Sequence, residues 1–166
     1  RKVQGVIAGL TDYPALRVLE TAIVLKDGWR GHASGQFAFV TSDRSEGAHP
    51  YTIASAWNPA DRRLVFITKA LGDHTSRLRK RLKIGMPVTV EGPYGCFDFE
   101  DTQPHQIWVG AGIGITPFIA RLKQRAVTPE AKTIDLFHPT AELDQTAIDH
   151  LTQDAAAASV RLHLRV

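Results

Sequence analysis

Four short segments of this sequence carry residues whose types and spacing suit the binding of a phosphate-bearing, ring-bearing ligand. In Trp108-Val109-Gly110-Ala111-Gly112-Ile113-Gly114-Ile115-Thr116-Pro117-Phe118, an apolar run meets three alternating glycines and then a proline. Glycines let a backbone approach a ligand closely, and a helix start offers free N–H groups to phosphate. Proline is harmless in a first helical turn, where those amides have no internal partner. The spacing is GxGxGxxP and differs from the GxGxxG dinucleotide fingerprint; a plain strand-to-helix turn would satisfy it too.

The second segment is His49-Pro50-Tyr51-Thr52-Ile53-Ala54-Ser55. Proline confines it to a strand edge or start, which suits a backbone laid beside a ligand. Tyr51 and Thr52 point to opposite faces of an ideal strand, so a bend near Pro50 is needed for both to reach one flat ring. An ordinary strand with Tyr51 in the core is the competing reading. The third is Thr68-Lys69-Ala70-Leu71-Gly72-Asp73-His74-Thr75-Ser76-Arg77-Leu78, a strand end followed by a helix start with Asp73 or Thr75 as N-cap. Lys69 and Arg77 would balance negative charge there, although simple capping explains the same residues. The fourth, Gly92-Pro93-Tyr94-Gly95-Cys96-Phe97, reads by itself only as a turn.

These segments must be held by two kinds of framework. Short β-strands over 16–25, 37–40, 50–56, 63–70 and 87–91 are separated by turn signals such as Lys26-Asp27-Gly28 and Asn58-Pro59-Ala60-Asp61. Strands at this spacing predict an antiparallel barrel or sandwich, interrupted by one basic helix over 75–82. After His105 the period changes to strand 106–109, helix 116–125, strand 133–137, helix 142–157 and strand 160–166. That alternation predicts a parallel sheet with right-handed crossovers. The junction falls near 101–105, giving a β-barrel unit over 1–103 and the N-terminal portion of an α/β unit over 104–166.

In order and spacing, the four motifs resemble the ferredoxin–NADP reductase superfamily, and most closely its ferric-reductase and NADPH-oxidase branch. That branch carries His-Pro-Phe-Thr, Gly-Asp-aromatic-Thr, Gly-Pro-Tyr-Gly and Gly-x-Gly-Ile-Gly-x-Thr-Pro; the resemblance covers nearly the whole chain. It implies an antiparallel flavin-binding β-barrel followed by a truncated parallel α/β nucleotide-binding domain. It implies FAD and NAD(P)H as cofactors. Tyr51 would stack on the isoalloxazine, and Thr52, the catalytic candidate, would hydrogen-bond near flavin N5, which accepts hydride. His49, beside Pro50, stands where many relatives place a phosphate-contacting arginine, and histidine there is usual in this branch. Gly72, Asp73, His74 and Thr75 would hold the FAD pyrophosphate, with Thr68 and Lys69 counted among the cofactor-binding residues. His74 replaces a larger aromatic. Gly110, Gly112, Ile113, Gly114, Thr116 and Pro117 would hold the nicotinamide dinucleotide, Thr116 nearest its nicotinamide end.

By the same resemblance, electrons pass from nicotinamide through FAD to a haem-bearing membrane segment of the same polypeptide, on the cytoplasmic side of a membrane. A reductase serving a soluble iron–sulfur partner, or a flavin-binding redox module without turnover, are the alternatives. The sequence opens on Arg1 rather than Met and stops on the apolar, strand-like stretch 159–166, so both ends read as cut; features of relatives that choose NADP over NAD, and a cysteine-bearing strand meeting the nicotinamide, would lie past Val166. This piece is expected to be soluble, to bind FAD and to transfer hydride poorly.

Composition narrows the field. At 166 residues, 43% hydrophobic and 22% charged, the chain is that of a globular protein. A net charge of +3 gives no argument for a nucleic-acid partner. The single cysteine, Cys96, excludes an internal disulfide and cannot build a metal centre alone. No apolar run reaches the roughly 20 residues that span a bilayer. No compact His/Asp/Ser or paired-carboxylate constellation appears, and His105, His138, His150 and His163 read as surface or capping residues; hydride transfer needs no acid–base pair.

Overall fold

Alternation of apolar and polar residues builds the first half of the molecule into a six-stranded antiparallel sheet, seen in a computed structural model of the chain. The structure describes residues 1–166 except the side chains of Asp73 and His74, so the roles expected of those two lie outside the described residues. The strands are β1 (Lys2–Tyr13), β2 (Val18–Leu25), β3 (Phe37–Thr41), β4 (His49–Thr52), β5 (Arg63–Lys69) and β6 (Pro87–Tyr94). Their order is β4-β3-β6-β1-β2-β5, and the outer strands approach through a bridge between Ile53 and Phe66. The sheet is therefore barrel-like without being fully closed. Ile7, Ile23, Leu25, Ala38, Ile53, Leu64, Phe66 and Val90 fill it, each 2% exposed or less. Full burial of such an aliphatic or aromatic side chain stabilises by about 1.5–3 kcal/mol.

Helix α1 (Asp73–Arg81) follows β5 directly and packs Leu78 against this core, joined by Leu82 just past its end. It begins two residues earlier than the sequence pattern predicts, because capping is done differently. Gly72 is the N-cap, and the Thr75 hydroxyl accepts the amides of Leu71 (3.0 Å) and Gly72 (3.2 Å). Strand β1 is not among the strands the sequence predicts. Gly5 and Gly9 interrupt its apolar alternation, yet it is 12 residues long and pairs with both β2 and β6.

The second half is a three-stranded parallel sheet in the order β7-β8-β9, from β7 (His105–Val109), β8 (Thr133–Pro139) and β9 (Arg161–Arg165). Helices α2 (Thr116–Val127) and α3 (Gln145–Ala157) form the crossovers and pack on each other. Trp108, Phe118, Leu122, Ile134, Leu136, Leu151, Ala155 and Val160 form its core. Helix α3 starts at Gln145 rather than at 142, because Asp144 leaves the helix to cap it: its Oδ1 accepts the Ala147 amide at 2.9 Å. Arg125, 1% exposed, is held by Glu130 Oε2 at 3.1 Å and by the carbonyls of Ala158, Glu130 and Lys132.

The segment joining the halves lays Phe97 and Phe99 against Phe118, with ring centroids 6.2 and 5.7 Å away. Polar contacts also cross between them. The Ser34 hydroxyl donates to Gln124 Oε1 at 2.8 Å, and Tyr13 Oη lies 3.2 Å from His150 Nδ1. Between the two halves lies a cleft lined by Lys69 on one side and Gly112 and Ile113 on the other.

Candidate functional site

The glycine loop leaves β7 at Gly110 and enters α2 through a short 3-10 turn, Gly112–Ile115. Its glycines do three different jobs. A Cβ on Gly110 would lie 2.9 Å from both Ile115 Cα and Phe118 Cδ2, so this glycine serves close packing. Gly112 has φ of +50°, in the left-handed region that other residues enter at a cost of about 1–2 kcal/mol. At Gly114 no atom lies within 4 Å of a built Cβ, and its φ is ordinary. Neither packing nor conformation demands glycine there. Thr116 is buried, its hydroxyl donating to the Ile113 carbonyl at 2.8 Å, and Pro117 sits in the first helical turn. Both thereby shape the turn that presents the loop.

The loop is anchored from the side by a residue the motif reading assigned to surface or capping. His138, near the end of β8, places Nδ1 2.6 Å from the Gly110 carbonyl. The signal in the sequence was positional: ligands of parallel α/β sheets bind outside the carboxyl ends of the strands, where His138, Thr140 and Glu142 lie.

In front of this loop is a cavity of about 380 Å³ between the two halves of the molecule. Gly112, Ile113, Ile119 and His138 line it from the sheet side, and Val18, Ile67 and Lys69 from β2 and β5. Aliphatic walls with a few convergent polar groups are the usual make-up of a small-molecule site. Lys69 Nζ is 3.1 Å from Glu142 Oε2 across it. Thr68 does not face this space; it is buried, and its hydroxyl donates to the Leu19 carbonyl at 3.2 Å.

In β4 the ladder with β3 runs regularly, pairing Phe37 with Thr52, Ala38 with Tyr51, Phe39 with Pro50 and Val40 with His49. Opposed residues share a face, so Tyr51 stands with buried Ala38, and Thr52 with Phe37 on the other side. Tyr51 packs on the barrel core, edge-on to Phe66 with centroids 6.4 Å apart. Burial first, and the Glu46 carboxylate second, push its phenol up to about 12, so the ring stays neutral across the usable pH range. Thr52 lies beside an aromatic cluster of Phe37, Phe39 and Tyr94, whose rings meet at 5.7–5.9 Å. Tyr94 belongs to the Gly92-Pro93-Tyr94-Gly95 segment, which ends β6 and pairs with Phe37. The structure thus joins the second and fourth motifs across one strand.

Gly72 stands at the helix start expected to meet a phosphate. A built Cβ at Gly72 meets nothing within 4 Å among the described residues, and Gly72 itself is exposed. Farther along α1 the charge is partly neutralised: Arg79 pairs with Asp12 at 2.5 Å, and Arg81 with Asp43 and Glu46. Two glycine-bearing helix starts and an apolar cleft fit a flavin dinucleotide and a second nucleotide. Among the described residues no group of three or more His, Cys, Asp or Glu could hold a metal ion. Among them, too, no helix is long and apolar enough to cross a membrane.

Residues 18–97 match a protein family described as an FAD-binding domain. Over 133 residues, 71% of this chain, the sequence is 31% identical to ferric reduction oxidase 4 of Arabidopsis thaliana, of which it covers 19%. It is 32% identical over 121 residues to respiratory burst oxidase homolog protein E of the same plant, covering 55% of this chain and 12% of that protein. The chain therefore spans less than a fifth of either relative. Among solved structures, the FAD/NAD-binding domain of nitric oxide dioxygenase from Vibrio cholerae O1 superposes with a TM-score of 0.81. That match covers 98% of this chain and 73% of the other at 19% identity, and so speaks for the fold.

Proposed function

We propose, from the membership of this chain in the ferredoxin–NADP reductase superfamily, on its ferric-reductase and NADPH-oxidase branch, that it is the flavin-bearing core of an NAD(P)H oxidoreductase. An oxidoreductase with FAD as cofactor follows from the family; the electron route and the residues below are our reading. Bound FAD supplies the capacity to take a hydride from a nicotinamide and pass its electrons on one at a time. The protein supplies placement.

The observation that carries the reading is the glycine loop at the cleft: Gly112 and Ile113 line the same cavity as Lys69 and Ile67 of the barrel. In this reading 1–103 form the FAD-binding unit and 104–166 the first part of the nicotinamide-binding unit. Gly72 and Thr75 shape the helix start that receives the FAD pyrophosphate, and Lys69 balances its charge. Pro50 and Thr52 share the face of β4 turned to the flavin, while His49 and Tyr51 stand on the other face, where Tyr51 braces the strand against the barrel core. Thr52 offers a hydroxyl at the edge of β4 for flavin N5. The glycine loop, held by His138, brings backbone amides to the nicotinamide dinucleotide, and Thr116 and Pro117 fix the turn that aims them. Apolar walls in the cleft exclude water from the transfer.

The acceptor in this reading is a haem-bearing membrane segment of the same polypeptide, with this part on the cytoplasmic side; the two plant oxidases favour it over a soluble iron–sulfur partner. The test uses the longest natural polypeptide containing this chain, loaded with FAD. Anaerobic NADPH or NADH is expected to bleach the flavin band and then to reduce haem. A flavin band unchanged by either nucleotide overturns the reading. Bleaching with transfer only to an added iron–sulfur protein would reassign the acceptor.

A further inference from the structure

Glu142 crosses the cleft between the two halves. It lies in the turn between β8 and α3, which is fixed from both sides: the Thr140 hydroxyl donates to the Glu142 carbonyl at 2.9 Å, and the Thr140 amide to the Arg165 carbonyl. From that turn its carboxylate meets two cations of the barrel half, Lys69 Nζ at 3.1 Å and Arg17 Nη2 at 4.0 Å. The Lys69 and Glu142 side chains are only 21% and 35% exposed, and both line the 380 Å³ cavity beside the glycine loop. Lys69 is three residues ahead of Gly72, the exposed N-cap of α1.

A carboxylate on an ammonium group and a phosphate on the same group make the same kind of charge-assisted hydrogen bond. We propose that Glu142 is an internal competitor for the phosphate seat at Lys69, tying the two halves together until the phosphates of the cofactor take its place. The inference rests on the reading of Lys69 as a phosphate partner. It makes Glu142 a positioning residue that sets cofactor affinity without touching the reacting atoms. Arg17 then keeps a share of the released carboxylate and limits how far the turn moves.

The test is FAD titration of the apoprotein, followed by flavin fluorescence, for the wild type, Glu142→Gln, Lys69→Gln and the double variant. Glu142→Gln keeps the shape and removes the charge. It is expected to tighten FAD binding about two- to fivefold, the size of a partly screened ion pair. That gain should shrink as salt rises and vanish on the Lys69→Gln background. A purely structural Glu142 would instead lower the apoprotein melting temperature and leave FAD affinity equal or weaker. If Lys69→Gln weakens FAD while Glu142→Gln leaves it unchanged, the competition is refuted and the Lys69 assignment stands. If Lys69→Gln leaves FAD affinity unchanged, the assignment itself falls, and the competition with it.

Discussion

Replacing Gly114 with alanine separates a glycine kept for a ligand from glycines kept for the fold. No atom lies within 4 Å of the new methyl, and the backbone is outside the left-handed region. Folding should therefore be unaffected, or gain about 0.4–1 kcal/mol through the stiffer unfolded chain. A phosphate oxygen accepting from a loop amide sits about 2.9 Å from its nitrogen. A methyl carbon holds neighbouring atoms at about 3.5–4.0 Å. The phosphate must then retreat by roughly half an ångström, enough to cost most of one charge-assisted hydrogen bond. The dissociation constant for NADPH should rise roughly tenfold, which is about 1.4 kcal/mol. Gly110→Ala is the contrast: its methyl would sit 2.9 Å from Ile115 Cα, and the protein should lose about 1–3 kcal/mol. Isothermal titration with NADPH, paired with urea unfolding of each variant, reads both quantities. If Gly114→Ala leaves the NADPH affinity unchanged while the protein stays folded, the loop does not approach a phosphate and the reasoning fails.

Three further outcomes follow from the same geometry. Thr52→Ala in the full-length protein should slow flavin reduction in stopped flow with little loss of bound FAD; unchanged kinetics would remove Thr52 from the flavin edge. The Tyr51 phenol is held above its ordinary value, so the stability it lends is complete below pH 10 and is lost as pH rises toward about 12. Urea midpoints at pH 8 and pH 11 should accordingly converge more closely in Tyr51→Phe than in the wild type. Arg125→Ala leaves three carbonyls without their buried donor while Glu130 keeps Arg121 at 2.6 Å, and equilibrium unfolding should show a loss of about 1–3 kcal/mol.

Much of this architecture was legible because local pattern and tertiary role agree. Strand β5 alternates strictly, with Leu64, Phe66 and Thr68 buried, and the glycine loop stands where a parallel strand gives way to a helix. Strand β1 was hidden because Gly5, Gly9, Thr11 and Asp12 break its apolar rhythm; its partners β2 and β6 decide it. The early start expected for α3 arose because Glu142 and Leu143 suit a helix, and only the Asp144 side chain on the Ala147 amide stops it. At the site, the motifs were visible one at a time but their meeting was not. Lys69 and Glu142 are 73 residues apart, and His138 reaches Gly110 across 28; no local period encodes such pairs. Tyr51 shows the limit most clearly. Its position in a binding motif was readable, whereas its place beside Ala38 and Phe66, on the opposite face from Thr52, depends on strand register.

The central claim is that this chain holds a flavin dinucleotide on its barrel unit, and the ultraviolet–visible spectrum tests it most directly. The protein as isolated, or after addition of FAD and removal of the excess, should be yellow, with a flavin band shifted from that of free FAD and a stoichiometry near one. A folded protein that stays colourless and leaves the spectrum and fluorescence of added FAD unaltered would contradict the account.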